Sequence, residues 1–152
     1  VFDRPEVCDL ATEILEETFS NRIRYVAYNI NTAPQFDQHY DVIFTSHILY
    51  HYMGDLEAVR DTLESMVQKI YSNLKPGGLF VSNHCGTVMN KEDALTNEMM
   101  ELKVKLSGFP THKIPETQLI QLLKKNGFRI LKTKAAKEGV HYGVFLVAAE
   151  KI

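Results

Sequence analysis

The sequence lacks the features that mark several specialised classes of protein. Its 152 residues include only two cysteines, Cys8 and Cys85, without C-x-x-C spacing. That pattern excludes a disulfide framework and a zinc knuckle. No apolar run approaches the roughly 18 residues of a membrane span, and the first residues do not resemble a signal peptide. These absences favour a cytoplasmic protein with reduced thiols and no membrane partner.

The sequence also lacks an excess of positive charge. The formal net charge is -2, and the lysines are scattered along the chain, which argues against a nucleic-acid surface. Hydrophobic residues make up 45% and charged residues 24% of the chain, close to the averages for globular proteins. We therefore expect one globular domain whose partners are small molecules or proteins.

Hydrophobic periodicity predicts an α/β domain. The predicted helices are Pro5 to Phe19, Leu56 to Leu74, Asn90 to Gly108 and Pro115 to Gly127. The predicted strands are Ile23 to Tyr28, Tyr40 to Thr45, Leu79 to Asn83, Phe128 to Lys134 and His141 to Lys151. Their alternation implies a mostly parallel sheet with helices on its faces, and the short link between the last two strands predicts an antiparallel pair. Residues 84–114 form the most irregular stretch and are expected to be a lid or substrate wall.

Two local patterns carry further expectations. The run from Tyr40 to Thr45 is almost continuously apolar, as expected of a strand buried on both faces. The sequence Lys75-Pro76-Gly77-Gly78 is expected to end the preceding helix, because proline cannot continue a helix and glycine adopts positive φ.

Five segments in succession resemble motifs of one enzyme family: VFDRPEV, YVAYNI, YDVIFTSHILYHYMGD, NLKPGGLFVSN and LLKKNGFRILKTK. Together they resemble a class I S-adenosylmethionine-dependent methyltransferase of the O-methyltransferase branch. The resemblance implies a Rossmann-like fold, with a mostly parallel sheet, helices on both faces and an antiparallel C-terminal strand. It also implies S-adenosylmethionine as the cofactor and a small-molecule acceptor, methylated on a hydroxyl oxygen.

The resemblance assigns cofactor-binding roles to six residues: Asp3, Arg4, Asn29, Ile30, Thr45 and Ser46. Asp3 stands where the family places a carboxylate that accepts hydrogen bonds from both ribose hydroxyls, although it is also placed to cap the helix that begins near Pro5. Asn29 stands where the family usually has an aspartate that contacts adenine; a turn is its other reading. Thr45 and Ser46 are expected to face the methionine portion of the cofactor.

His51 aligns with the general base of the O-methyltransferase branch, and a structural histidine at a strand-helix corner is the alternative. The spacing of His47 and His51 matches a zinc-binding pair only on a helix. Because this segment leaves a strand and shows no third ligand, no metal site is predicted, and His47 is expected to pack beside His51.

The family's glycine-rich loop is not among these 152 residues. The resemblance therefore implies that they form the C-terminal part of a catalytic domain, which alone would bind the cofactor poorly or not at all, and that the intact protein is a candidate homodimer. A non-catalytic binding or dimerisation module is the main alternative. A nicotinamide-dependent oxidoreductase would require an all-parallel sheet.

Overall fold

The computed structural model describes residues 1–19, 22–29, 33, 35–49, 56–85, 95, 98–99, 102–103, 106, 114–134 and 144–152. These residues belong to two compact units, Val1–Gln35 and Phe36–Ile152. The fold of each unit follows from its own strand pairings.

The described residues of the smaller unit form one helix and two short parallel strands. Strands β1 (Phe2–Asp3) and β2 (Val26–Ala27) are connected through helix α1 (Pro5–Phe19). The helix begins at Pro5, whose fixed φ suits the first helical turn. The structure confirms the predicted helix, whereas the predicted strand from Ile23 to Tyr28 is reduced to β2.

The larger unit is a four-stranded mixed sheet with helices. Among its described residues, the elements with defined bounds are, in chain order, β3 (Tyr40–Ser46), α2 (Leu56–Asn73), β4 (Leu74–Cys85), α3 (Glu116–Lys125), β5 (Phe128–Lys134) and β6 (Val144–Lys151). The strand order is β3-β4-β6-β5. Strands β3 and β4 are parallel, while β6 is antiparallel to both β4 and β5. The predicted antiparallel C-terminal pair is confirmed, and the all-parallel sheet of an oxidoreductase is not found.

The sequence Lys75-Pro76-Gly77-Gly78 forms a bulge at the start of β4. Tyr40 pairs with Leu74 and Val42 pairs with Leu79, so the four residues Lys75–Gly78 lie opposite the single residue Asp41. Gly77 adopts a φ of 73°, and a Cβ on Gly78 would lie 2.8 Å from the backbone oxygen of Lys75. The expectation of a simple helix stop was therefore incomplete, because these residues also re-register β4 against β3.

The two faces of the four-stranded sheet differ in burial. One face carries Phe80, Ser82, Phe145, Val147 and Ala149, all of which are buried. We call it the helix-covered face, because α2 and α3 pack against it: Tyr71 of α2 contacts Phe128 of β5, which contacts Phe80. An ion pair of 2.7 Å joins Lys125 to Glu64 and links the two helices.

The opposite face, which we call the open face, carries Val42, Phe44 and Ser46 of β3 beside Leu79, Val81 and Asn83 of β4. Val42 is 52% exposed and Phe44 is 58% exposed. The expectation that β3 is buried on both faces is therefore wrong for the side chains of this face.

The C-terminus of α2 is bound by a residue of β6. Lys151 Nζ donates hydrogen bonds of 2.8 Å to the backbone oxygens of Tyr71 and Leu74 and lies 4.7 Å from the centre of the Tyr71 ring. A cation at the carboxyl end of a helix satisfies carbonyls that have no partner within the helix. The same ring packs against Gly127, whose φ of 89° allows α3 to end and β5 to begin.

The predicted insertion of residues 84–114 lies mostly outside the described residues. Four apolar positions of the predicted helix, Leu95, Met99, Leu102 and Leu106, are helical and exposed. Its role as a lid or substrate wall stays a prediction. No helix among the described residues is both long and apolar enough to cross a membrane.

Candidate functional site

The smaller unit presents a carboxylate at the carboxyl end of β1. Asp3 is exposed, and its Oδ1 accepts a hydrogen bond of 2.8 Å from its neighbour, the backbone N–H of Arg4. This carboxylate makes no capping bond to the first turn of α1 among the described residues, so the capping alternative is not supported. A carboxylate has about four acceptor positions, and Asp3 therefore retains capacity for two hydroxyl donors of a diol such as ribose.

The other candidates of the smaller unit lie close to Asp3 in the chain or just after β2. Arg4 is exposed and forms an ion pair of 3.1 Å with Glu6. Asn29 is exposed, and its backbone oxygen accepts a hydrogen bond from the N–H of Ala33 at 2.9 Å. That bond places Asn29 at the start of a turn, which leaves its side chain compatible with either of its two predicted roles. Ile30 lies outside the described residues.

In the larger unit, Thr45 and Ser46 end β3 on opposite faces of the sheet. Thr45 is 8% exposed on the helix-covered face, and its hydroxyl donates a hydrogen bond of 2.9 Å to Ser82 Oγ. Ser46 is exposed on the open face and pairs in register with Asn83. The predicted pair therefore divides into a buried hydroxyl that links two strands and an accessible hydroxyl at the sheet edge.

The chain turns sharply at the residue that follows Ser46. His47 has a φ of 52°, a left-handed conformation that side-chain-bearing residues adopt at an energetic cost. Its backbone N–H donates to the backbone oxygen of Asn83 at 3.0 Å and to Asn83 Oδ1 at 3.2 Å. Two residues later, Leu49 is fully buried. The end of β3 is thus held by a hydrogen-bonded turn and then by an apolar anchor.

The proposed base, His51, lies outside the described residues, so its role stays a prediction. His47 is half-buried, as expected for a packing residue. Among the residues that the structure describes, no group of three or more histidine, cysteine or acidic side chains is arranged to hold a metal ion.

Asp41, the second residue of the segment YDVIFTSHILYHYMGD, lies at the opposite end of β3 from Ser46. Both of its carboxylate oxygens accept hydrogen bonds of 2.9 Å from Lys75 Nζ in the β4 bulge. The hydrogen bond and positive charge of Lys75 lower the pKa of Asp41. This pair joins β3 to β4 at the amino end of the sheet and is remote from the candidate site.

The sequence prediction missed Ser82 and Asn83. Both residues were placed on a strand, but neither was assigned to a site. One signal was present: the apolar run Leu79–Val81 changes to polar residues where the strand reaches the carboxyl edge of the sheet, at which ligands of α/β proteins gather. The register that pairs them with Thr45 and Ser46 is visible only in the folded sheet.

In the larger unit, the parallel strands β3 and β4 carry polar residues at their carboxyl ends, an arrangement typical of α/β proteins. Residues 4–135 match the family described as Methyltransferase domain. The chain therefore belongs to the Methyltransferase domain family. None of the curated protein sequences is significantly similar to it.

Solved structures share this fold. The S-adenosylmethionine-dependent methyltransferase SibL aligns with 99% of this chain and 42% of its own, with a TM-score of 0.75 and 20% identity. The mitomycin 7-O-methyltransferase MmcR aligns with 99% of this chain and 41% of its own, with a TM-score of 0.73 and 17% identity. The N-methyltransferase NodS from Bradyrhizobium japonicum, solved with S-adenosyl-L-homocysteine, aligns with 99% of this chain and 65% of its own, with a TM-score of 0.68 and 16% identity.

These similarities confirm the predicted fold class, a Rossmann-like methyltransferase fold with an antiparallel C-terminal strand. The chain spans about two-fifths of the length of SibL and of MmcR. The similar structures include both an O-methyltransferase and an N-methyltransferase, and at 16–20% identity they define the fold without defining the acceptor atom.

Proposed function

We propose that the protein transfers a methyl group from S-adenosylmethionine to a small-molecule acceptor, and that the acceptor atom is a hydroxyl oxygen. The match of residues 4–135 to the Methyltransferase domain family is the observation that supports this proposal most strongly. Oxygen is proposed because the sequence segments resemble the O-methyltransferase branch; the mitomycin 7-O-methyltransferase MmcR is one of the similar structures.

In the smaller unit, the proposed role of Asp3 is to bind the ribose hydroxyls of the cofactor, with Arg4 beside it. The exposed carboxylate suits this role because charged acceptors form the stronger hydrogen bonds to hydroxyl groups. Asn29 and Ile30 are proposed to contact the adenine; an asparagine side chain supplies both an acceptor and a donor to such a ring.

In the larger unit, Thr45 and Ser46 are the residues proposed to serve the methionine portion of the cofactor. Because the Thr45 hydroxyl is buried and bonded to Ser82, its contribution is to fix the carboxyl end of β3. Ser46 is exposed at that end and is the residue of the pair whose hydroxyl is accessible to a ligand.

For the chemical step, His51 is proposed as the general base. When bound, S-adenosylmethionine would supply an electrophilic methyl group on a positively charged sulfonium, with the neutral thioether as the leaving group. His51 would take the proton of the acceptor hydroxyl, so that the acceptor oxygen accumulates no positive charge as it is methylated. A base with a pKa near neutrality contributes about 10²–10⁴-fold in rate, and alignment of the reacting atoms supplies the remainder.

The proposed partners follow from the same chemistry. The acceptor is expected to be a small molecule, and neither nucleic acid nor a membrane is expected as a partner. The homodimer and the cytoplasmic location also stay predictions, as does the role of residues 84–114 in enclosing the acceptor.

Calorimetric titration of the full-length protein with S-adenosylhomocysteine tests cofactor binding. We expect Asp3→Ala to weaken binding at least tenfold, because two hydrogen bonds to a charged acceptor are lost. Asp9→Ala, which removes an exposed carboxylate on α1, is the matched control and should leave the affinity unchanged. A folded wild-type protein that gives no binding heat would favour the non-catalytic module instead.

The His51→Ala variant of the full-length protein tests the base. We expect turnover, measured as release of S-adenosylhomocysteine with a hydroxyl-bearing acceptor, to fall about 10²–10⁴-fold, while cofactor affinity stays the same. His39→Ala, which changes an exposed histidine, is the control. Unchanged turnover in the His51 variant would return that histidine to a structural role at the strand-helix corner.

A further inference from the structure

Asn83 occupies a position that no predicted role covers. It lies on the open face at the carboxyl end of β4, directly beside Ser46 in the register of the two parallel strands. Its side chain is half-buried. Asn83 is therefore the direct neighbour of Ser46, a residue proposed to bind the cofactor.

The backbone N–H of His47 is held by two oxygens of this one residue. Asn83 O accepts it at 3.0 Å, as a continuation of the β3–β4 ladder, and Asn83 Oδ1 accepts it at 3.2 Å. A backbone N–H can only donate, so the amide oxygen of Asn83 must face His47 and its NH₂ group must face away. The orientation of the Asn83 amide is thereby fixed.

The hydrogen bonds coincide with the unfavourable conformation of His47. A φ of 52° in a residue with a side chain persists only where the surroundings determine it. Two features restrain this residue. The Asn83 oxygens bind its N–H, and Leu49, two residues later, is completely buried. Removing the Asn83 side chain removes one of the acceptors that restrain this turn.

We propose that Asn83 is a positioning residue for the methyltransferase site, which acts through the left-handed turn at His47. By holding this turn, Asn83 fixes the direction in which the chain leaves β3 and so the placement of Ser46, the accessible hydroxyl at the strand end. The inference rests on the proposed function, because it assigns to Asn83 the task of keeping a proposed cofactor residue in place.

Two substitutions test the mechanism in the full-length protein, with S-adenosylhomocysteine as the probe. Asn83→Leu keeps the branched shape and the number of side-chain heavy atoms but removes the side-chain acceptor, and should weaken binding about tenfold. Adding His47→Gly to this variant should restore affinity to within about twofold of wild type, because glycine adopts positive φ without a steric penalty. His47→Gly alone is the control and should bind as wild type does.

The rescue separates positioning from the two other roles that Asn83 could have. If Asn83 contacted the ligand directly, glycine at position 47 would not restore binding, and that result would overturn the proposal. If Asn83 served stability alone, Asn83→Leu would lower the unfolding midpoint and leave the affinity of the folded protein unchanged, which would also overturn it.

Hydrogen exchange of the His47 amide provides a readout that does not depend on the cofactor. Asn83→Leu should speed this exchange about tenfold relative to wild type. Equal rates in wild type and Asn83→Leu would exclude the proposed restraint of the turn. If the wild-type protein bound no S-adenosylhomocysteine, the proposed function would fail while the exchange rates still decided whether Asn83 holds the turn.

Discussion

The two faces of the four-stranded sheet are built from the same strands but meet different surroundings. Phe80 on the helix-covered face is fully buried, whereas Phe44 on the open face, on the adjacent strand, is 58% exposed. Both side chains are phenylalanines that point out of the same pleated sheet. The difference therefore arises from the helices that cover one face, and not from the composition of the strands.

This comparison explains why β3 was expected to be buried on both faces. A strand that carries apolar side chains on both sides is typical of a sheet lying between two layers of helices. In the described part of Phe36–Ile152, helices α2 and α3 supply one such layer. The apolar residues of the open face are consistent with the Rossmann-like methyltransferase fold, in which helices lie on both faces.

Substitution of the two phenylalanines gives the largest expected difference between the faces. Phe80→Ala should lower the free energy of unfolding by about 3–5 kcal/mol, because it leaves a cavity among side chains that cannot fully collapse. Phe44→Ala should cost less than about 1 kcal/mol, since much of its ring already contacts water. Denaturant unfolding of both variants measures the difference.

Each outcome of that experiment bears on the comparison. A cost for Phe44→Ala close to that of Phe80→Ala would show that the open face is covered in the protein in solution. The m-value, the slope of the unfolding free energy against denaturant concentration, should be unchanged in both variants. An unchanged m-value indicates that the substitutions alter stability and not the surface exposed on unfolding.

Two glycines with positive φ give a second, smaller contrast. A Cβ at Gly127 would lie 3.0 Å from the Tyr71 hydroxyl oxygen and 3.1 Å from two ring carbons of Tyr71, on the helix-covered side. At Gly77 the nearest atom would be Glu150 Oε1, at 3.9 Å. Both alanine variants carry the backbone cost of a left-handed residue, but only Gly127→Ala adds a contact with a ring that is already packed.

We therefore expect Gly127→Ala to destabilise the protein by about 2–3 kcal/mol and Gly77→Ala by about 1 kcal/mol. Thermal unfolding of the two variants under one buffer condition checks this order. Equal costs would mean that Tyr71 moves aside freely and that the corner of α2, α3 and β6 is less tightly packed than the geometry indicates.

The sequence allowed prediction of the elements whose signals are local. Helix α1 begins at Pro5 as expected, and α3 lies between Pro115 and Asn126-Gly127, because proline and glycine impose their φ values without help from distant residues. The antiparallel pairing of β5 and β6 was also predictable from the short connection between them.

The features that depend on register were not predictable from local signals. The bulge of Lys75–Gly78 exists because β4 must align with β3, and the partners of Thr45 and Ser46 follow from that alignment. The left-handed turn at His47 is formed by a residue other than glycine, so the sequence carries no local signal for it. A polar residue such as Asn83 acquires its role from a residue 36 positions earlier, which the neighbouring sequence does not reveal.

The ion pair between Asp41 and Lys75 at the amino end of the sheet should show the smallest effect. Lys75 lowers the pKa of Asp41 in the folded protein, so the ionised form of Asp41 is favoured by folding. This contribution is present above the ordinary aspartate pKa of about 4 and is lost as the pH falls through the lower folded value. In Asp41→Asn the difference in unfolding free energy from wild type should therefore be greatest at neutral pH and should shrink below about pH 4.

Because both side chains are at least half exposed, solvent and salt screen this pair, and the effect should be no larger than that of an ordinary surface substitution. Unfolding measured between pH 3 and pH 7 at low and high salt tests the expectation. Glu13→Gln, which changes an exposed carboxylate on α1, is the control. A difference that grows as the pH falls would contradict the sign of the pKa shift. A difference as large as that of Gly77→Ala would show that the Lys75–Gly78 bulge depends on this ion pair, and would place the start of β4 among the tightly determined parts of the sheet.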